Sequence, residues 1–181
     1  REMVDFQIHS ETDIKSEARR VILEQIRSSR EILSDPDMGD DKRIHEVRKC
    51  FKRIRAVLRL IRDAAGYSNY YRENVFFRDL GASLSSARDA GVVYERGAFL
   101  QQDFPELEKN EAFQKFLAGL EQEKNRKTRE IKEKKLFTAV DDQLNRSIPR
   151  FEKLSVQNSG FGVIRGGLKR MYKQGRKYLK K

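Results

Sequence analysis

The chain has one cysteine, no tryptophan, three prolines and two histidines among its 181 residues. A single cysteine, Cys50, excludes an internal disulfide framework and any multi-cysteine zinc or iron–sulfur site. It suits a reducing, cytoplasmic compartment. No apolar run approaches the roughly 20 residues needed to span a bilayer, so no membrane span is expected. Glu121, Glu123, Glu130 and Glu133 lack the Glu-x-x-His pairing of di-iron bundles. His45 has no base and nucleophile spaced near it for acid–base catalysis, and no acidic metal-binding constellation accompanies it. These absences argue against an enzyme and imply no cofactor. No signal-peptide pattern is present, and the opening at Arg1 rather than Met fits a segment of a longer protein.

What the chain does have is charge, and it is unevenly placed. Lys and Arg total 39 against 28 Asp and Glu, a formal net charge of +11. Residues 42–62 hold nine basic residues and one acid, Glu46. Residues 161–181 hold eight basic residues and no acid. Each segment therefore carries +8, and the remainder of the chain is mildly acidic. Such focusing implies a polyanionic partner more strongly than a uniformly basic surface would.

Apolar periodicity is helical almost throughout. Residues 1–13 alternate weakly (Val4, Phe6, Ile8) and read as a lead-in or short strand. Ala18, Val21, Ile22, Gln25, Ile26, Ser29 and Leu33 give a stripe at three- and four-residue spacing from Ile14, closed by the turn chemistry of residues 34–39. A second helix is capped at Asp40 or Asp41 and runs to about Ala65, where Gly66 stops it. A third spans Asn69 to Asp89, and Gly91 to Phe99 reads as a connector. After a break at Pro105, a helix of about 20 residues starts near Asn110, another covers Phe137 to Phe151, and the last begins at Phe161. The expected fold class is all-α, of the four-helix-bundle type.

On a helical wheel, Val47, Cys50, Phe51, Ile54, Val57, Leu58 and Ile61 fall within one face of about 120°. His45, Arg48, Lys52, Arg55, Arg59 and Arg62 occupy a band beside it, at spacings of 3, 4, 3, 4 and 3. The result is a cationic ridge roughly 25 Å long. Like charges at i,i+4 destabilise an isolated helix by a few tenths of a kcal/mol each, so a ridge without interleaved acids points to an anionic ligand as counter-charge. The bland alternative is a solvated basic face. The last helix repeats the design. Phe161, Ile164, Leu168, Met171, Tyr172 and Leu179 form an apolar face, flanked by Arg165, Lys169, Lys173, Arg176 and Lys180. Packed side by side, the two helices would line a groove suited to a linear chain of phosphates.

The stretch Ile44 to Arg59 closely resembles the signature helix of the CHAD family, the conserved histidine α-helical domain. His45, Arg48, Lys52, Arg53, Arg55 and Arg59 match its basic positions in turn. Leu84-Ser85-Ser86-Ala87-Arg88-Asp89 is similar to the Leu-x-x-x-Arg-Asp of the family's next helix. Gly167-Leu168-Lys169-Arg170-Met171-Tyr172 resembles the Gly-Leu-x-Arg-x-Tyr stretch that opens its second half. The resemblance covers residues 14–181 and implies two four-helix bundles about a pseudo-twofold, with a basic channel between them. Here that means a first bundle plus the start of a second, with the domain incomplete at its C-terminal side. It also implies binding of inorganic polyphosphate without catalysis.

The candidate polyphosphate-binding residues are accordingly His45, Arg48, Lys52, Arg55, Arg59, Arg88, Arg165, Lys169, Arg170, Lys173 and Arg176. Arg forks grip phosphate oxygens bidentately and Lys serves as a point charge. Arg88 fits either a phosphate contact or an internal salt bridge, and Cys50 is most simply core. Tyr70, Tyr71, Phe76 and Phe77 are either core or surfaces for base stacking. A nucleic-acid-binding module is the rival reading; a polyphosphate-granule surface is a partner compatible with the first.

Overall fold

The computed structural model describes residues 13–133 and 135–179, excepting the side chains of 86–89 and 131–133. The N-terminal lead-in through residue 12 lies outside the described residues. Among the described residues there are eight α-helices and no strand. They are α1 (Ile14–Ser34), α2 (Asp40–Leu60), α3 (Arg62–Ala65), α4 (Tyr67–Ser83), α5 (Ser85–Asp103), α6 (Glu111–Glu133), α7 (Leu136–Glu152) and α8 (Gly162–Leu179). A short 3₁₀ turn, Pro105–Lys109, joins α5 to α6. None of these helices is long and apolar enough to cross a membrane.

Helix α1 starts at Asp13, whose carboxylate accepts from the Ser16 backbone N–H, and it buries Ala18, Val21, Ile22, Ile26 and Leu33. That stripe packs between α2 and α7, while α2 also meets α4 and α5. The core is the contiguous set these helices share, centred on Phe77. Phe77 stands 5.5 Å from Phe51 of α2 and 5.7 Å from Phe151 of α7, ring centroid to ring centroid. Sequence periodicity places α1 and α7 correctly, whereas the second helix, expected unbroken to Ala65, divides at Ile61 into α2 and α3, and the apolar face expected on α8 stays exposed at Phe161, Leu168, Met171, Tyr172 and Leu179. Gly66, at φ +81°, ends α3 in a conformation L side chains avoid.

Two further expectations need correction. The third helix does not continue to Asp89 but breaks at Leu84, and the expected connector Gly91–Phe99 is the middle of α5. The glycines there serve contact rather than helix breaking. A Cβ on Gly97 would stand 3.1 Å from Leu117 and 3.2 Å from Leu120 of α6, and Gly91 lies against the Asp41 carboxylate.

Glu73 escaped the periodicity argument, whereas Gln25 belongs to the α1 stripe. Glu73 of α4 is 1 % exposed, yet its carboxylate accepts from Arg72 Nε at 2.7 Å and from Arg150 Nη2 of α7 at 3.1 Å. This ion pair ties α4, one wall of the site below, to the bundle. Gln25 of α1 is fully buried and accepts from Arg53 Nη1 at 3.3 Å. Arg53 thus reaches the α1 side of α2.

Cys50 lies in the core as expected, and burial pushes its thiol above the ordinary cysteine range, against smaller opposing pulls led by Ser29. An aromatic disulfide reagent at neutral pH is expected to leave Cys50 untouched in the native protein and to titrate one thiol in guanidinium chloride. Fast native labelling would contradict the packing.

Candidate polyanion-binding groove

Helix α2 carries two functions on adjacent faces. Ile44, Val47, Cys50, Phe51, Ile54, Val57 and Leu58 are buried, which fixes the rotation of the helix. That rotation sets Arg48, Lys52 and Arg55 along the edge of the core, facing α4 and the start of α5. The three line a recess of about 210 Å³ together with Phe51, Phe77, Arg78, Gly81, Ala82 and Ser85. Its floor is aromatic and glycine, and its rim holds four cations.

The electrostatics are uncompensated on the α2 side. Among the described residues, no carboxylate forms an ion pair with Arg48, Lys52, Arg55 or Arg59. Arg55 Nε donates to the neutral Asn74 Oδ1 at 3.0 Å, and Arg59 Nε to the Arg55 carbonyl at 3.3 Å. Burial, with Arg59 and Arg78 as like charges nearby, pulls Arg55 below the ordinary arginine range, although it stays cationic at neutral pH. A bound anion would relieve each of these penalties. Several other basic side chains are matched: Lys49 binds Glu46 at 2.8 Å, Arg30 binds Asp141 at 2.7 Å, and Arg126 binds Glu123 at 2.7 Å.

Residues 20–181 match the model of the CHAD domain. The chain belongs to the CHAD family. No curated protein and no solved structure matches it.

The signature helix of this CHAD domain does not use all its basic positions alike. His45, expected beside the ridge cations, lines a neighbouring recess of about 270 Å³ with Asp41, Lys42, Gly91, Val92 and Glu95. Its Nε2 is 3.8 Å from Glu46 Oε1. The acids of that recess make its surroundings mixed rather than cationic. No group of three or more His, Cys, Asp or Glu side chains that could hold a metal ion occurs among the described residues. Arg88 sits on α5 between Ser85 and Gly91, the stretches that border the two recesses, and its side chain lies outside the described residues.

The second expected ridge does not join the first. Helix α8 packs on α3 and on the end of α2, where Gly167 meets the Leu60 backbone. Arg165, Lys169, Lys173 and Arg176 are exposed there, and none of them lines the α2 recess. Arg170, expected as a ligand contact, instead gives its Nη1 to both oxygens of Asp63 at 2.7 Å. The recess beside the α2 ridge is thus walled by α4 and α5 and not by α8. The fourth cation of that recess, Arg78, was missed. It pairs with the exposed Asp79 at 2.8 Å. Its signal was present: Tyr67, Tyr71, Asn74 and Arg78 recur at spacings of 4, 3 and 4, a stripe on α4 beside the core stripe.

Proposed function

We propose that this CHAD domain binds inorganic polyphosphate along the α2–α4–α5 groove and acts as a non-catalytic targeting or scaffold module, located in the cell by the polyanion it holds, as at a polyphosphate granule. The observation that carries the reading is the recess rimmed by Arg48, Lys52, Arg55 and Arg78, whose α2 cations have no ion-pair partner among the described residues. The family's association with polyphosphate supports the same ligand. A recess beside the core suits a flexible chain of phosphates. Base readout of duplex DNA needs side chains projecting from an exposed recognition face into the major groove.

The test is binding of long-chain polyphosphate across a salt series, with duplex DNA as competitor at matched phosphate concentration. About four neutralised phosphates predict a log–log salt slope of about −3, in analogy with single-stranded nucleic acid. DNA is expected to compete weakly. Polyphosphate incubated with the protein and magnesium is expected to keep its length on a gel. Equal competition by DNA would transfer the groove to nucleic acid, and shortening of the chain would make the protein an enzyme.

A further inference from the structure

We propose that the groove ends in a nucleobase subsite, built by Tyr67 and Tyr71 of α4, so that the ligand class extends to nucleoside polyphosphates: one base followed by a run of phosphates. The inference rests on the polyphosphate reading and adds a recognition element to it.

Tyr67 and Tyr71 are 60 % and 55 % exposed, although aromatic residues at helical spacing ordinarily serve as core. The two rings stack on each other with centroids 6.0 Å apart and planes 30° apart. Arg62, the last residue of the α2–α3 cationic band, lies over the ring of Tyr67 at 4.9 Å and over that of Tyr70 at 5.2 Å. The aromatic cluster is thus fixed at the end of the ridge rather than scattered over the surface.

Its connection to the recess runs along α4 through Asn74. Tyr71, Asn74 and Arg78 share one stripe of α4, and Asn74 accepts from Arg55. Along the helix axis, Tyr71 and Arg78 are separated by about 10 Å. That span matches the reach from the base of an extended nucleotide to its outer phosphates. Aromatic faces bind bases of any sequence, and a guanidinium next to them adds cation–π attraction.

The distribution of the groups selects the ligand class. Single-stranded nucleic acid carries one base per phosphate and calls for stacking surfaces spaced along the charged track. Here the cations from Arg48 to Arg59 are consecutive, and the exposed tyrosines stand at one end. A ligand with several phosphates and one base fits that order.

The experiment compares ATP with inorganic tripolyphosphate, both without magnesium, by calorimetry on the wild type and on the Tyr67→Ala/Tyr71→Ala double variant. ATP affinity is expected to fall about tenfold in the variant, the loss of one stacked base. Tripolyphosphate affinity is expected to stay within about twofold, and Tyr71→Phe to retain ATP binding. Equal losses for the two ligands, or none for ATP, would overturn the subsite while leaving the groove intact. Oligothymidylate losing as much affinity as ATP would reassign the tyrosines to single-stranded nucleic acid and overturn it too. A wild type that binds neither ATP nor tripolyphosphate would remove the polyphosphate reading and this one with it.

Discussion

The Arg48→Ala/Arg55→Ala double variant will bind polyphosphate about a hundredfold more weakly than the wild type at physiological salt, with its helicity unchanged. Hydrogen bonds to charged groups contribute about 1.5–3 kcal/mol each, which for two arginines corresponds to a factor of a hundred or more. Partial exposure and salt screening favour the lower end of that range. On the folding side the cost is small. Arg55 has one bond to Asn74, about 1.5 kcal/mol at the lower end of the same range, and its removal also relieves repulsion from Arg59 and Arg78. Arg48 has no ion pair among the described residues. Stability and binding should therefore separate cleanly. The matched control is Arg126→Ala/Lys127→Ala, which removes the same two charges from α6, where Glu123 and Glu130 already neutralise them. That variant should bind as the wild type does. If both variants lose affinity alike, net charge rather than the groove holds the ligand; if the double variant keeps full affinity with its fold intact, the ridge is only a solvated face.

The ridge of α2 was readable because one periodicity fixes two things at once. Once Val47, Phe51, Ile54 and Leu58 are assigned to the core, the helix cannot rotate, and Arg48, Lys52 and Arg55 must follow one another along its border. What faces that border was not readable, since it depends on which helix packs there. Residues 161–181 show the same amphipathic pattern as α2, so periodicity alone favoured α8 as the opposite wall. Beside the α2 recess the structure places α4 and α5, and Arg78 is the cation that lines it from their side. Asp63 explains part of the difference: a lone carboxylate in a four-residue helix draws Arg170 inward. The misassigned connector at Gly91–Phe99 has a similar origin. Glycine weakens an isolated helix, but here Gly97 admits two leucines of α6, a tertiary gain that no local signal contains.

Gly167→Val will detach α8. A Cβ at this position would collide with the carbonyl oxygen of Leu60 and stand 2.6 Å from its Cα and 2.7 Å from its carbonyl carbon. These are backbone atoms of the last turn of α2, so no rotamer change relieves the overlap. Either α8 slides away, losing the burial of Val163 and the Arg170–Asp63 pair, or the end of α2 bends. Overpacking against side chains costs about 1–3 kcal/mol, and rigid backbone places this substitution at the top of that range. Hydrogen exchange should report fast amides throughout α8 and unchanged protection in α1 and α7. Gly175→Ala on the same helix is the control: nothing lies within 4 Å of its would-be Cβ, and removing a helical glycine should stabilise α8 by about 0.5–1 kcal/mol. The pair of variants also decides how many ridges bind. Because no α8 side chain lines the α2 recess, tripolyphosphate affinity should survive the loss of α8 docking within about threefold. A collapse of that affinity in Gly167→Val, with α2 still protected from exchange, would mean that the second ridge completes the site after all.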